Sequence, residues 1–234
     1  SHNPPEYNGL KIFDEDGMAY DDQRQNRIEA VAKHQHFSRV DWRNLCDVKF
    51  ADYRVLYTEM IRKSVKLNKK WHLVVDPGCG ATYELAPKVL STFGCKVTAL
   101  NAQPDGFFPA RSPEPNSRSL SNLAKVARNL HADVGLAYDG DGDRVAFIDG
   151  EGSFVDFDRV LAAYAAHITK LMGGGIIVTN VEASMCIEKT VNAHGGKVVR
   201  TRVGDVYLSK AIKQHGAIFG GEPCGAWIHP EFHY

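Results

Sequence analysis

Several features that mark whole classes of protein are scarce or missing in this 234-residue sequence. Its 28 basic residues balance its 28 acidic ones, which excludes a basic nucleic-acid arm and an acidic tail. Its longest apolar runs fall far short of the ~20 residues that cross a bilayer. Its five cysteines are scattered without Cys-x-x-Cys spacing, which predicts reduced thiols rather than disulfides or a zinc site. We therefore expect a cytoplasmic globular protein without nucleic-acid or membrane partners.

What the sequence does contain is an internal repeat of strands and helices. An apolar run that ends in a turn is followed by a helical pattern, a glycine stop and a second strand, and this order recurs later in the chain. The first copy has a strand at 73–75, a helix at 85–93, Gly94 and a strand at 96–100. The second has a strand at 176–178, a helix at 185–194, Gly195 and a strand at 197–199.

Further matches extend the repeat to three related α/β units, the first lacking its front and the third its end. A helical face at 123–130 and a strand at 133–137 are matched by a face at 207–212 and a strand at 216–219. A strand at 10–13 followed by a turn corresponds to the strand predicted at 145–148. The predicted divisions are 1–48, 49–153 and 154–234, with helices at 24–33 and 53–61 bridging the first two units. The proline-rich stretch at 103–119 predicts an ordered loop that covers a sheet edge.

The most specific motif is Asp139-Gly-Asp141-Gly-Asp143-Arg144, directly after a predicted strand. Three carboxylates this close repel one another unless a cation binds them, and the glycines let the backbone turn. Carboxylate oxygens favour Mg²⁺ or Ca²⁺. An EF-hand is excluded because Arg144 and Gly150 stand at its glycine and glutamate positions. The motif predicts a cation site suited to phosphate chemistry, with a solvated acidic turn as the alternative.

Two other loops lie at corresponding strand ends, where ligands gather in open α/β sheets. The first unit opens with Ser-His-Asn-Pro-Pro at 1–5, which its prolines stiffen. Because Ser1 and His2 are adjacent, they do not suit a triad-type nucleophile and base. Glu222 lies between Gly221 and Pro223, where a rigid loop can present its carboxylate to sugar hydroxyls. An ordinary turn glutamate is the alternative interpretation.

Taken together, the three loops resemble those of the α-D-phosphohexomutase family of phosphomannomutases, phosphoglucomutases and phosphoglucosamine mutases. Residues 1–11 are similar to its phosphoserine loop, 139–144 to its magnesium loop and 220–225 to its sugar-recognition loop, and 108–116 also fits. The resemblance implies repeated mixed-sheet α/β/α domains. It also implies an intramolecular phosphotransferase that interconverts hexose 6-phosphate and hexose 1-phosphate through a phosphoserine. Mg²⁺ and a hexose 1,6-bisphosphate intermediate and activator follow from the same resemblance.

The resemblance also implies a role for each candidate residue. Ser1 carries the phosphoryl group, and Arg144 neutralises the phosphoserine. His2 and Lys11 assist proton transfer. The implied metal ligands are Ser1, Asp139, Asp141 and Asp143. The implied substrate-binding residues are Gly204, Asp205, Glu222 and Cys224.

The sequence departs from the family pattern in two respects. Cys224 stands where the family usually has serine, and a thiol is a poorer hydrogen-bond donor. Nothing matches the family's fourth domain, whose loop clamps the substrate's other phosphate. We therefore expect an internal portion of an enzyme about twice as long, weak or inactive in isolation, and belonging either to a monomer or to a homo-oligomer.

Two other functions fit parts of the sequence. A haloacid-dehalogenase-type phosphatase would use Asp139 as its nucleophile and Asp141 as its acid–base, but it leaves the Ser1 and Glu222 loops without a role. A non-catalytic module that binds a sugar phosphate is the second alternative. An acid-stable phosphate on Ser1 favours the mutase, whereas an acid-labile phosphate on Asp139 favours the phosphatase.

Overall fold

The structure is a computed structural model that describes residues 2–35 and 37–234. The elements follow the predicted alternation of strands and helices along most of the chain. The helices are α1 (Asp22–Lys33), α2 (Arg54–Ser64), α3 (Leu85–Thr92), α4 (Ser121–Asn129), α5 (Phe157–Met172), α6 (Cys186–Asn192) and α7 (Asp205–His215). The strands are β1 (His72–Asp76), β2 (Lys96–Ala99), β3 (Val134–Tyr138), β4 (Val145–Ile148), β5 (Phe154–Val155), β6 (Gly175–Asn180), β7 (Gly196–Thr201), β8 (Phe219–Gly221) and β9 (Trp227–Ile228).

The first part of the chain contains α1 and α2 but no strand among its described residues. Neither helix buries a residue. The predicted strand at 10–13 is wrong: Leu10 is 97% exposed, and only a single bridge joins Phe13 to Ala19. A strand needs a hydrogen-bonding neighbour along its length, and here the chain provides only a short turn back on itself.

The middle part of the chain folds around a five-stranded sheet in the order β2-β1-β3-β4-β5. The first three strands are parallel, and β4 and β5 are antiparallel additions. The predicted strands and helices of this unit are confirmed, including the helix that ends before Gly94 at φ +78°. An aliphatic core under α4 includes Val74, Leu123, Ala137 and Ile148. Parallel strands put their carboxyl ends at one edge, which is where the acidic loop lies.

The last part repeats this topology in a four-stranded sheet of order β7-β6-β8-β9. Strands β6, β7 and β8 are parallel, and β9 is antiparallel to β8. Helix α5, which the sequence patterns did not predict, begins at the Asp156 cap and packs Leu161 and Ala165 into the core. The two short strands β5 and β9 were also missed, because two residues carry no periodic pattern.

A backbone contact joins the two sheets beside their loops. The Val145 N–H donates to the Gly225 carbonyl at 3.1 Å, and Arg144 forms a bridge with Ala226. Gly225 has φ +88°, and a Cβ there would lie 2.3 Å from the Val145 carbonyl oxygen. Only glycine fits both this conformation and this close approach. The acidic loop and the Glu222 loop are therefore held next to each other.

No helix in the part of the chain that the structure describes combines the length and apolar character required of a membrane span.

Candidate active site

The acidic loop is the tight connection between β3 and β4. Its first carboxylate, Asp139, is 1% exposed and accepts hydrogen bonds at Oδ1 from the backbone N–H groups of Gly142, at 3.0 Å, and Arg144, at 3.1 Å. Gly142 has φ +83°, which a side chain would disfavour. The loop thereby curls around one oxygen of Asp139.

The other oxygen of Asp139 indicates a cation site. Oδ2 is buried and has no hydrogen-bond partner among the described residues. Ligand atoms of Asp139, Asp141 and Asp143 lie within 4.8 Å of one another. Burial, reinforced by the charge of Asp143, raises the pKa of Asp139 to about 7. A buried carboxylate oxygen without a donor is costly, and a hard divalent cation supplies what it lacks. The donor set fits Mg²⁺.

Lys11 lies between the acidic loop and the third unit. Its Nζ is 3.7 Å from Asp143 Oδ2 and 2.5 Å from Asp205 Oδ2. Partial burial lowers the pKa of Lys11, but the hydrogen bond to Asp205 and the charges of Asp205 and Asp143 outweigh this and raise it. The ammonium therefore remains protonated at neutral pH and joins two predicted site regions.

Glu222 differs from Asp139 in that neighbouring groups already satisfy it. The residue is 7% exposed, and its Oε1 accepts 2.8 Å hydrogen bonds from Asn180 Nδ2 and from the Gly204 N–H. Gly204 has φ +127° and caps α7, so the turn aims its N–H at the carboxylate. Predicted substrate residues Gly204, Asp205 and Glu222 are thus brought together.

Arg144 leaves the acidic loop toward the proline-rich loop. Its Nη1 lies 3.1 Å from Glu114 Oε2. Cys224 is half-buried near Arg144, and burial raises the pKa of its thiol, so the thiol is protonated at neutral pH. The proline-rich loop is irregular, as predicted, but it does more than cover an edge, because Glu114 reaches the site.

Sequence reasoning missed three further residues that surround the loops: Asn180, Glu114 and Arg111. Asn180 and Asp76 end equivalent central strands, and this repeat position was the available signal. Arg111 binds Asp76 from within the proline-rich loop at 3.2 Å. Nothing in the local pattern of that loop indicates a buried arginine.

The remaining predicted residues are less informative. Ser1 lies outside the described residues. His2 is half-buried. The roles of Ser1 and His2 therefore stay predictions.

The described loops line a common cavity of about 330 Å³ between the first and third parts of the chain. Lys11, Asp143, Asp205 and Glu222 contribute charged groups to its wall, and Trp227 contributes an aromatic face. A carboxylate of the acidic cluster, a protonated amine and a fixed carboxylate around one cavity can together bind a phosphorylated polyol. This combination is suited to phosphoryl transfer.

Family models described as phosphoglucomutase/phosphomannomutase α/β/α domains match the chain in order. Domain I matches residues 1–39, domain II residues 55–152 and domain III residues 156–234. The second and third matches each contain one of the two sheets. The acidic loop therefore falls in domain II and the Glu222 loop in domain III.

Named proteins and a solved structure agree with these matches. A probable phosphoglucosamine mutase of Methanothermobacter thermautotrophicus is 44% identical over 99% of this chain and 50% of its own length. The phosphoglucosamine mutase of Methanococcus maripaludis is 40% identical over the whole chain and 53% of its own length. A crystal structure of a phosphoglucomutase/phosphomannomutase family protein from Burkholderia thailandensis superimposes with a TM-score of 0.86 at 27% identity, over 100% of this chain and 50% of that one. The chain spans about half the length of these relatives. With the three family models matched in sequence order and both sheets repeating one topology, the chain belongs to the α-D-phosphohexomutase family.

Proposed function

We propose that the full-length protein containing this chain is a phosphohexomutase that interconverts hexose 6-phosphate and hexose 1-phosphate. Glucosamine phosphate is the proposed substrate, because the Methanothermobacter and Methanococcus relatives carry the names probable phosphoglucosamine mutase and phosphoglucosamine mutase. The proposed route is phosphoryl transfer from phosphorylated Ser1 through a hexose 1,6-bisphosphate.

One observation carries this proposal: Lys11 links the acidic cluster to Asp205, the first residue of α7, within one cavity. Its ammonium lies 3.7 Å from Asp143 and 2.5 Å from Asp205, and Glu222 lines the same cavity. A substrate phosphate and its sugar hydroxyls can therefore contact both loops at once. Such simultaneous contact provides the orientation that group transfer needs.

The acidic loop is proposed to hold Mg²⁺ through Asp139, Asp141 and Asp143. Bound Mg²⁺ offsets the negative charge that spreads over the transferring oxygens. Arg144 adds a guanidinium at the end of the same loop, and Glu114 fixes its direction. The negative charge on the reacting phosphoryl group would thus be offset by groups in the loop between β3 and β4.

The sugar is proposed to be oriented by Glu222. Asn180 and Gly204 fix one of its oxygens, so the carboxylate presents a defined direction to substrate hydroxyls. Lys11 is proposed to assist proton transfer at the oxygen released when a phosphorus–oxygen bond breaks, because its ammonium lies between Asp143 and Asp205 in the same cavity. His2 is proposed to take part in the complementary proton transfer from the attacking hydroxyl.

We also propose the domain divisions 1–48, 49–153 and 154–234 for the three units. The two sheets and the order of the family models support this division.

The proposal is tested with the full-length protein, Mg²⁺ and a trace of bisphosphate activator. We expect glucosamine 6-phosphate to be converted to glucosamine 1-phosphate faster than the glucose and mannose phosphates are interconverted. Ser1→Ala should abolish turnover, whereas Ser64→Ala, on the exposed face of α2, should leave it unchanged. Phosphate on Ser1 should be acid-stable. Acid-labile phosphate on Asp139, or tight sugar-phosphate binding without turnover, would contradict the assignment.

A further inference from the structure

Arg111 is an arginine buried at the edge of the sheet beneath the acidic loop. Its side chain is 4% exposed and that of its partner Asp76 is 3% exposed, with Nε 3.2 Å from Asp76 Oδ2. Asn101 donates to the same carboxylate oxygen at 3.1 Å. A charge pair this deeply buried is retained only where its geometry and hydrogen bonds are well satisfied.

The guanidinium of Arg111 ties together the carboxyl ends of β1 and β3. Its Nη2 donates to the carbonyl of Tyr138 at 2.7 Å and to that of Asp76 at 3.2 Å. Its Nη1 donates to the carbonyl of Ser112 at 2.9 Å. Tyr138 is the last residue of β3 and directly precedes Asp139. Arg111 therefore holds the peptide from which the acidic loop departs.

The Arg111 guanidinium packs against Gly78 so closely that a Cβ at position 78 would collide with it. Gly78 has φ +58°, and a Cβ there would lie 2.6 Å from the guanidinium carbon of Arg111. The Gly78 N–H donates to the second oxygen of Asp76 at 2.7 Å. The turn after β1 is thus shaped to admit the arginine.

The same proline-rich loop also holds the far end of the acidic loop. Glu114, three residues after Arg111, binds the guanidinium of Arg144 at 3.1 Å. One segment therefore contacts the acidic loop where it leaves β3 and again where it enters β4. Both contacts lie outside the carboxylate cluster itself.

We propose that Arg111 is a positioning residue for the proposed cation site, acting through the Tyr138 carbonyl to fix where Asp139 lies. This inference rests on the proposed function, because it assumes that the acidic cluster binds Mg²⁺. Groups that orient metal ligands without touching the metal typically change metal affinity 10–100-fold when they are replaced. Among the described residues Arg111 binds Asp76, Ser112 and Tyr138 rather than the carboxylates of the cluster, so its effect should appear in metal binding.

The first test is Mg²⁺ binding by calorimetry to full-length Arg111→Lys. Lysine keeps the charge beside Asp76 but lacks the planar guanidinium that donates to the carbonyls of Asp76, Ser112 and Tyr138. We expect Mg²⁺ affinity to fall about 10–100-fold. The matched control is Arg200→Lys in the other sheet. Arg200 pairs with Glu188 at 2.7 Å and donates to the carbonyls of Asn180 and Ala183, at 2.9 and 2.7 Å, away from the acidic loop. Its replacement should leave Mg²⁺ affinity unchanged.

A double variant separates positioning from charge balance. Arg111→Met alone leaves Asp76 as an unpaired buried charge and should lower the unfolding temperature. Adding Asp76→Asn removes that charge and should restore much of the stability. If Arg111 positions the acidic loop, Mg²⁺ affinity stays about 10–100-fold weak in the double variant. Recovery of Mg²⁺ affinity together with stability would overturn the proposal.

These measurements also separate this inference from the proposed function. If the unaltered full-length protein binds no Mg²⁺, the proposed function itself is wrong. If it binds Mg²⁺ and Arg111→Lys binds it equally well, only the positioning role of Arg111 is wrong.

Discussion

The two sheets share one strand order, yet the carboxylates at their carboxyl ends are in opposite states. Asp139, beyond β3, has a buried oxygen without a partner among the described residues, whereas Glu222, beyond β8, is bound by an amide and a backbone N–H. The sheet register explains the difference. Val178 pairs with Gly220, and continuing by two residues places Glu222 beside Asn180.

In the sheet that contains β1 and β3, the residue opposite the last residue of the central strand β1 is an alanine. Asp76 pairs with Ala137, and Asp139 comes two residues later. Asp76 cannot donate as Asn180 does, and it requires Arg111 to balance its own charge. The same fold thus provides one carboxylate with an oxygen that lacks a donor among the described residues and one whose oxygen is already hydrogen-bonded. Whether the carboxylate lacks a donor or is hydrogen-bonded depends on the residue type at the end of the central strand and on the strand register beside it.

The sharpest test of this comparison is Asp139→Asn in the full-length protein. We expect turnover to fall about a thousandfold, because cation catalysis contributes several kcal/mol. The metal-free protein should nevertheless be at least as stable as the wild type, because the change removes a buried oxygen without a donor. Turnover assays check the expected loss of activity, and thermal unfolding without Mg²⁺ checks the expected stability. A large loss of stability would mean that Asp139 is satisfied without a cation.

Glu222→Ala, unlike Asp139→Asn, should lower the stability of the metal-free protein. Asn180 and Gly204 would lose their acceptor, and a buried unsatisfied donor costs about 1–3 kcal/mol. Loss of sugar orientation should lower turnover about a hundredfold. Mg²⁺ affinity should not change. Urea unfolding measures the loss of stability, and Mg²⁺ calorimetry on the same sample shows whether the change in the Glu222 loop affects the acidic loop. Weakened Mg²⁺ binding would indicate that the loops are not independent.

Asn180→Asp makes the second sheet resemble the first and should destabilise it by about 1–3 kcal/mol at pH 8. Two carboxylates would then replace an amide–carboxylate hydrogen bond of 2.8 Å. The loss should be smaller at pH 5, because protonation of one carboxyl restores a donor between them. Unfolding at both pH values measures the difference, with exposed Asn68→Asp as the control. An equal loss at both values would show that the amide's donor role is unimportant.

The smallest expected effect concerns the side chains packed beneath the two loops and the pH dependence of stability. The core under the acidic loop is aliphatic, whereas His229 packs against Phe219 with ring centroids 5.1 Å apart. Burial, with a smaller effect of His233, lowers the pKa of His229. The unfolded chain therefore binds more protons than the folded one below about pH 6.5, so stability should fall as the pH drops through that range.

Replacing the histidine tests this pH dependence directly. His229→Gln should flatten the decline in unfolding temperature below pH 6.5, whereas exposed His194→Gln should leave it unchanged. An identical decline in the His229 variant would assign the acid sensitivity to another group.

Local patterns predicted the elements whose signal lies within a short stretch of chain. Alternating apolar runs and glycine stops predicted β1, α3, β2 and their counterparts in the other sheet. Prediction was wrong at 10–13, where a strand pattern lacks a neighbouring strand among the described residues. It missed β9, whose two residues are strand only because Gly220 and Gly221 lie beside them.

Motif reasoning gave the acidic loop, Lys11 and Glu222 as candidates, and the structure brings them around one cavity. It did not find Asn180, Glu114 or Arg111. Their importance comes from contacts across 42, 30 and 27 positions along the chain. No local spacing rule connects residues so far apart.

The amino-acid sequence by itself determined the repeated α/β order, the family and the three aspartates at alternate positions, because periodicity and short motifs act over neighbouring residues. Only the tertiary structure decided which carboxylate lacks a donor, which amine joins the acidic loop to the start of α7 and which arginine binds the end of β3. The reason is physical: burial and hydrogen-bond partners determine the charge state of a group, and both come from residues that folding brings together from distant parts of the chain.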